Sequence, residues 1–75
     1  MSEFVTYPKI NGLYQHYKGG IYRVITMAIH TETKENLVIC KSELFGTIYA
    51  RPISSFFAEV TTTDGKRVSR FTYPI

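Results

Sequence analysis

Cysteine is almost absent from this chain: Cys40 is the only one in 75 residues. A single cysteine excludes a disulfide within the chain, which is typical of a protein from a reducing cytoplasm. Structural zinc sites usually contain closely spaced ligand pairs. Here the three residues that could ligate zinc, His16, His30 and Cys40, stand far apart in the sequence. We therefore expect no metal and no cofactor.

Long hydrophobic runs are also missing. The longest apolar stretch, residues 24–29, is interrupted by Thr26 and is far shorter than the roughly 20 residues of a membrane-spanning helix. Residues 1–8 contain neither a basic n-region nor an apolar h-region, so we expect no signal peptide. These absences predict a soluble, cytoplasmic protein without membrane contact.

Positive charge exceeds negative charge only slightly, with nine Lys and Arg against six Asp and Glu and a net charge of +3. That excess favours an anionic partner only weakly. The 44% hydrophobic content, which includes six Tyr and five Phe but no Trp, excludes an intrinsically disordered chain. A chain of 75 residues has room for one hydrophobic core, so we expect a single domain.

The residue pattern contains no long amphipathic helix and no repeat; instead, strand-like segments alternate with turn signals. The predicted strand segments are residues 13–17, 21–29, 37–41, 47–51, 58–62 and 67–72. Such short strands need closure to protect their edges. We therefore predict an all-β fold, a small SH3-like barrel of about five short strands, formed by residues 13–75 after an N-terminal appendage at residues 1–12. An open half of a β-sandwich, completed by dimerisation, is the alternative.

Local features make this prediction more specific. By alternation, residues 21–29 have two apolar faces, which indicates a strand that is covered on both sides or bent. One face contains Tyr22, Val24 and Ala28, and the other contains Ile21, Ile25, Met27 and Ile29. After Pro52, residues 53–57 are too few for a stable helix and predict one 3₁₀ turn. Asp64-Gly65 predicts a hairpin. The opposite parity of Val68 and Phe71 predicts a bulge or bend in the last strand.

Several motifs occur in the order found in one known family. They are HYKGGIYRV at residues 16–24, HTET at 30–33, LVI at 37–39, Arg51-Pro52 followed by Phe56, and VSRF at 68–71. In these motifs the chain resembles DUF1653, a family of short, mostly bacterial proteins of unknown function. It departs from the family pattern at Cys40, at Tyr49-Ala50 and at Ser69. The resemblance implies an SH3-like barrel and provides no catalytic residue.

Enzyme signatures are missing as well. Nucleophilic catalysis by Cys40 would need a histidine base and an orienting group, whereas a cysteine after an apolar strand is expected to be buried and inert. The Lys18-Gly19-Gly20 segment is not a phosphate-binding loop, because no helix follows it. We therefore expect no enzymatic activity.

Binding is the function that the pattern favours, with a protein or peptide as the leading partner class. Aromatic-lined grooves on SH3-like barrels accommodate extended peptides, and Glu32 would supply an acidic contact for a basic peptide. The candidate ligand-binding residues are His16, Tyr17, Lys18, His30, Glu32, Tyr49, Arg51, Phe56 and Arg70.

Two alternatives remain open. Single-stranded nucleic acid would stack on exposed aromatic residues beside a basic track; the candidates are Tyr14, Tyr17 and Tyr49 with Lys18, Arg51, Lys66, Arg67 and Arg70. The third class is a structural or homo-oligomerisation domain, with residues 4–7 adding a strand to a neighbouring copy in a homodimer.

Each candidate also has a purely structural interpretation. Arg51 would pair with Glu32 or Glu59 across the barrel. The two histidines would satisfy backbone groups near turns. Tyr22 and Phe56 would belong mainly to the core.

Overall fold

The computed structural model describes residues 7–74, which form seven β-strands and one helical turn. The elements are β1 (Leu13–His16), β2 (Ile21–Ile29), β3 (Asn36–Ser42), β4 (Ile48–Pro52), α1 (Ile53–Phe56), β5 (Glu59–Thr61), β6 (Arg67–Ser69) and β7 (Phe71–Thr72). Within these residues, no helix is long enough to cross a membrane. The strand predicted to pair two copies, residues 4–7, lies almost wholly outside the described residues.

Five of the strands form one antiparallel sheet in the order β4-β3-β2-β1-β7, and β5 and β6 form a separate two-stranded ribbon. The all-β prediction is therefore confirmed. Residues 7–74 form seven strands and not about five: all six predicted segments contain a strand, and the last segment is divided between the two sheets. Within residues 7–74, the ladders do not connect the ribbon to the sheet, so the backbone hydrogen bonds do not form a closed ring.

Arg70 lies at the point where the chain passes from the ribbon to the sheet, which confirms the predicted bend. Its amide N–H donates to the carbonyl oxygen of Ala58 at 3.0 Å, and its carbonyl oxygen accepts from the N–H of Tyr17 at 2.9 Å. Val68 therefore pairs with Val60 in the ribbon, whereas Phe71 pairs with His16 in the sheet. The parity break in the sequence is a change of sheet.

A β-bulge in β2 overturns the simple alternation expected for that strand. The register with β3 shifts between Val24 and Thr26, so Ile25 is an extra residue and is 37% exposed. Met27 then pairs with the fully buried Val38 and packs against the same core as Val24. The assignment of Val24 and Met27 to opposite faces was wrong because a bulge reverses parity.

The core lies on one face of the five-stranded sheet and is covered by α1. It consists of Tyr14, Val24, Val38, Phe56 and Phe71, with Tyr22, Met27 and Ile53 packed at its margin. Burial of each large apolar side chain stabilises the fold by about 1.5–3 kcal/mol. The turn after Pro52 is a single α-helical turn and not the predicted 3₁₀ turn, since the N–H of Phe57 donates to the carbonyl of Ile53, four residues earlier. The next bond, from Ala58 to Ser55, spans three residues.

The turns that flank the sheet match the glycine signals. Gly19, at φ +109°, closes the β1–β2 hairpin, in a conformation that side chains disfavour. The β5–β6 hairpin is confirmed, with Gly65 at φ +87°. Residues just before β1 also join the sheet, because Asn11 and Gly12 exchange backbone hydrogen bonds with Val24 at 2.7 and 3.0 Å.

Candidate functional site

A row of five aromatic rings crosses the core-facing side of the sheet and reaches its surface at both ends. The row runs through Tyr17, His16, Phe71, Tyr22 and Tyr49, with successive ring centroids 4.7, 5.0, 5.6 and 6.0 Å apart. Phe71, at its centre, is buried, whereas Tyr17 and Tyr49 are 38% and 44% exposed. We call these five residues the aromatic row.

Strand register explains why these rings meet. His16 is paired with Phe71 across β1 and β7, and Tyr22 in β2 lies two residues before the buried Val24. In β4, Tyr49 is paired with the buried Cys40. Because directly paired residues project to the same side of a sheet, all of these side chains lie on the core side. The row is thus the outer continuation of the core.

Arg51 lies against the middle of the aromatic row. Its register partner is the fully buried Val38, which directs the Arg51 side chain to the core side, and its guanidinium carbon is 5.5 Å from the Phe71 ring centroid. This distance is within the range of a cation–π contact. The Nε atom is enclosed by protein and has no hydrogen-bond partner within residues 7–74.

The expected ion pair of Arg51 is not formed. Glu59 instead binds Arg67, with an Oε1–Nη2 distance of 3.0 Å, because β5 and β6 are neighbours in the ribbon. Glu32 lies in the connector between β2 and β3, where its N–H donates to the Nδ1 of His30. The prediction that Arg51 pairs with Glu32 or Glu59 was wrong.

Two further cations lie beside the aromatic row. The Nζ of Lys18 is 5.8 Å from the Tyr17 ring centroid. The Nε of Arg70 donates to the carbonyl oxygen of Ser55 at 3.0 Å. We call Lys18, Arg51 and Arg70 the cationic cluster. Within residues 7–74, the ion pairs are Arg23–Glu43 and Arg67–Glu59, and neither includes a member of the cluster.

His16 lies within this positive field. Its Nδ1 accepts a hydrogen bond from the N–H of Lys18 at 3.1 Å, and the prediction that the histidines satisfy backbone groups is confirmed here and at His30. Burial, followed by the charges of Arg51, Arg70 and Lys18, holds the pKa of His16 below its ordinary value. His16 therefore favours the neutral form.

Comparisons with known proteins agree with this architecture. The family model "Protein of unknown function (DUF1653)" matches residues 12–73. The chain belongs to the DUF1653 family. It is also similar to a crystal structure of a DUF1653 protein from Bordetella bronchiseptica, with a TM-score of 0.73 and 29% identity over 84% of this chain and 83% of that one. A search of curated proteins gave no match.

In this DUF1653 chain, six of the nine predicted ligand-binding residues come together. They are His16, Tyr17, Lys18, Tyr49, Arg51 and Arg70. His30 and Glu32 follow the far end of β2, whereas His16 is bonded to Gly20 just before its near end. A nine-residue strand separates its ends by about 26 Å. The predicted groove containing both Glu32 and His16 is therefore not formed.

Other candidates are in the core or bound elsewhere. Phe56 is fully buried and stacks on Phe71 with centroids 4.4 Å apart. Tyr14, expected to stack on bases, is also buried, and its hydroxyl accepts from the N–H of Lys9. Sequence reasoning did not include Phe71 or Tyr22 among the candidate site residues. The signal for Phe71 was its register with His16, which the bend at Arg70 obscures, whereas Tyr22 was expected in the core and packs at its margin.

Cys40 is paired with Tyr49 of the neighbouring strand, and its thiol is buried, as predicted. Burial raises its pKa, an effect that the nearby Arg51 partly offsets. A protonated, enclosed thiol is a poor nucleophile. Within residues 7–74 there is no enclosed cavity or cleft beside it and no group of three metal-ligating side chains. The site is thus an open surface of aromatic rings and cations.

Proposed function

We propose that this DUF1653 chain is a non-enzymatic binding module whose ligand is an extended segment of a protein or peptide. The observation that carries the proposal is the composition of β4, an edge strand of the sheet. It presents an exposed aromatic residue, Tyr49, and a cation without an ion-pair partner in the described residues, Arg51, on the same face.

An edge strand binds an extended peptide by continuing the sheet. Within residues 7–74, β4 pairs only with β3, so alternate backbone groups of Ile48–Pro52 face outward, although Pro52 has no N–H to donate. A peptide lying along this edge would satisfy those groups, and its alternate side chains would meet the aromatic row. The exposed side chain of Ile48 at the start of β4 adds apolar area to this edge.

The cellular setting is part of the same proposal. A single, buried cysteine that remains a free thiol is compatible with a reducing compartment, and we propose the cytoplasm. In that compartment the ligand would be an extended segment of another protein, either a chain terminus or a loop.

The test is a display library of random seven-residue peptides selected against the immobilised full chain. Selected peptides are then titrated into ¹⁵N-labelled protein. We expect amide shifts along β4 and at Tyr17, and at least tenfold weaker binding by Tyr49→Ala, since an exposed aromatic anchor is typical of binding hot spots. Tyr7→Ala, which removes another exposed tyrosine, is the control and should bind normally. Absence of enriched peptides, or shifts confined to another face, would contradict the proposal.

Single-stranded nucleic acid is the second candidate, favoured by one observation: the charged groups that act on His16 in the aromatic row are all positive, and one of them, Lys18, lies over Tyr17. Two facts count against this candidate, however. Arg67, which was expected to contact phosphates, is paired with Glu59. Tyr14, which was expected to stack on bases, is buried. A mixed ten-nucleotide strand that shifts the same amides at physiological salt would favour this candidate. Affinity for nucleic acid falls with salt in any case, so the result that would weaken this candidate is diffuse shifts that are lost at physiological salt, or no shifts at all.

Homo-oligomerisation through the β4 edge is the third class. Sedimentation equilibrium across a hundredfold concentration range tests it directly. A stable dimer that covers β4 would leave no edge for a peptide, so its detection would replace the binding proposal.

A further inference from the structure

We propose that the ligand carries a carboxylate, and that this group binds the terminal nitrogens of the Arg51 guanidinium beside the aromatic row. This inference rests on the proposed function and names the chemistry of its ligand: an extended acidic peptide segment. It reverses the expectation that Glu32 selects a basic peptide, because Glu32 lies beyond the far end of β2.

The first argument concerns the hydrogen-bonding groups of Arg51. A guanidinium carries five N–H donors. Within the described residues the Arg51 side chain makes no hydrogen bond, and its Nε is the one enclosed side-chain polar atom without a partner. Since Nε is enclosed and the two Nη atoms are not, the Nη pair is the accessible side of the group. That pair matches the two oxygens of a carboxylate.

The second argument concerns orientation. Register with Val38 directs Arg51 to the core side, and the Phe71 ring lies 5.5 Å from its guanidinium carbon. The contact with Phe71 therefore restricts where the planar group lies before a ligand arrives. Preorganisation of this kind reduces the entropy that binding must overcome.

The third argument is charge. The charged groups that face this point come from three elements: Lys18 from the β1–β2 turn, Arg70 from the bend before β7, and Arg51 itself from β4. His16 is the titratable group among them. In the part of the chain that the structure describes, none of these cations is paired with a carboxylate. Their summed field attracts an anion.

The geometry of strand addition then specifies the peptide. Side chains of an added strand alternate in direction, so the residue facing Arg51 and the residue facing Tyr49 are two positions apart. The expected ligand is an extended segment with Asp or Glu at one position and an aromatic or apolar residue two positions away. A compact cluster at one end of a strand edge fits this single acidic contact better than the repeated phosphates of a nucleic acid.

The experiment uses three capped peptides, acetyl-TTYTETT-amide and its versions with Gln or Lys in place of Glu, titrated into the full-length ¹⁵N-labelled chain. We expect the Glu peptide to bind at least about tenfold more tightly than the Gln peptide, as for hydrogen bonds to a charged group, and the Lys peptide to bind most weakly. Arg51→Gln should abolish the preference. Arg67→Gln, with the same change in charge at an exposed, ion-paired site, is the matched control and should retain it.

A second measurement separates the carboxylate site from the peptide. Sodium acetate is titrated against sodium chloride at constant ionic strength, and the Arg51 side-chain Nε–H signal and the His16 imidazole signals are followed. We expect acetate to shift both signals and to raise the pKa of His16, effects that Arg51→Gln should remove. Arg51→Lys, which keeps the charge without the planar fork, should give an intermediate response and shows whether charge alone suffices.

The outcomes separate the two proposals. Equal affinity for the Glu and Gln peptides on β4 would leave the binding module standing and overturn the carboxylate site. An acetate response without peptide binding would confirm the site and contradict the module. No acetate response would overturn the inference whatever the peptides do. A phosphate or oligonucleotide response much stronger than that of acetate would also overturn it, in favour of nucleic acid.

Discussion

Two pairs of arginines in this small protein have opposite environments. Arg23 and Arg67 extend from exposed parts of the sheet and ribbon to Glu43 and Glu59, at 3.2 and 3.0 Å. Arg51 lies against the aromatic row, and Arg70 is close enough to lower the pKa of His16, but within the described residues neither is paired with a carboxylate. The difference separates the arginines that the fold pairs with carboxylates from those that it does not pair with one. A count of net charge cannot make this distinction.

The largest expected effect concerns the packing around Phe71, against which Arg51 lies. Phe71 is buried and contacts Phe56, His16, Tyr22 and Arg51. Phe71→Ala should lower the free energy of unfolding by about 3–5 kcal/mol, because it leaves a cavity at the centre of the row. Urea denaturation measures this. Tyr17→Ala, at an exposed end of the row, is the control, and a loss for Phe71→Ala no larger than for this control would contradict the packing described here.

The next effect has the opposite sign. Arg51→Met should raise the free energy of unfolding by about 1 kcal/mol, since it removes an enclosed donor without a partner and keeps apolar contact with Phe71. Loss of peptide binding together with a gain in stability would identify Arg51 as a functional residue. Urea denaturation of Arg51→Met beside Arg67→Met makes the comparison. Lower stability of Arg51→Met than of Arg67→Met would show that Arg51 is a structural group.

His16, beside the cationic cluster, should make the stability of the protein depend on pH. Its pKa is lowered in the folded protein from 6.5 by burial and by the cationic cluster, so the unfolded chain binds more protons near and below that pH. Stability from this group is fully present above pH 6.5 and is lost as pH falls through the lower folded pKa. We expect the wild type to lose more stability between pH 7.5 and 5 than His16→Asn, which keeps an acceptor for the N–H of Lys18. Parallel pH profiles of the two proteins would exclude this coupling.

The paired arginines should give the smallest effect. The side chains of Arg67 and Glu59 are 70% and 53% exposed, and exposed ion pairs contribute about 0–1 kcal/mol. Arg67→Gln should therefore change the urea midpoint only slightly, and the difference from wild type should shrink further at high salt. A large, salt-independent loss would show that the ribbon depends on this pair.

Sequence reasoning predicted the class of fold because the strands have strong local signals. The glycines of the β1–β2 turn, the Asp64-Gly65 hairpin and the parity break before Phe71 each correspond to a structural event. The inserted residue Ile25 could not be predicted, since a bulge leaves no local trace in a strand that is apolar on both faces. That one residue decides which side chains of β2 face the core.

The candidate site could be predicted only in part, because residue type is visible in the sequence but strand pairing is not. Tyr17, Lys18 and Arg51 were identified from residue type, but their assembly depends on pairing between β1 and β7, which are separated by more than fifty residues in the chain. The partner of Glu59 also depended on pairing, because β6 places Arg67 beside it. Glu32 and Phe56 have side chains that suit ligand binding, but neither belongs to the site. Glu32 lies in the connector between β2 and β3, and Phe56 is buried in the core.

The pairing of β1 with β7 also has a consequence for synthesis. His16 and Phe71 are partners, and Tyr17 is bonded to Arg70, so the aromatic row joins an early part of the chain to a late one. On a ribosome, β1 to β4 emerge first and can pair with one another, whereas the row cannot assemble until the residues of β7 have left the exit tunnel. Contacts of such high sequence separation form late in folding. A nascent chain would therefore lack the complete aromatic row until β7 has emerged and paired with β1.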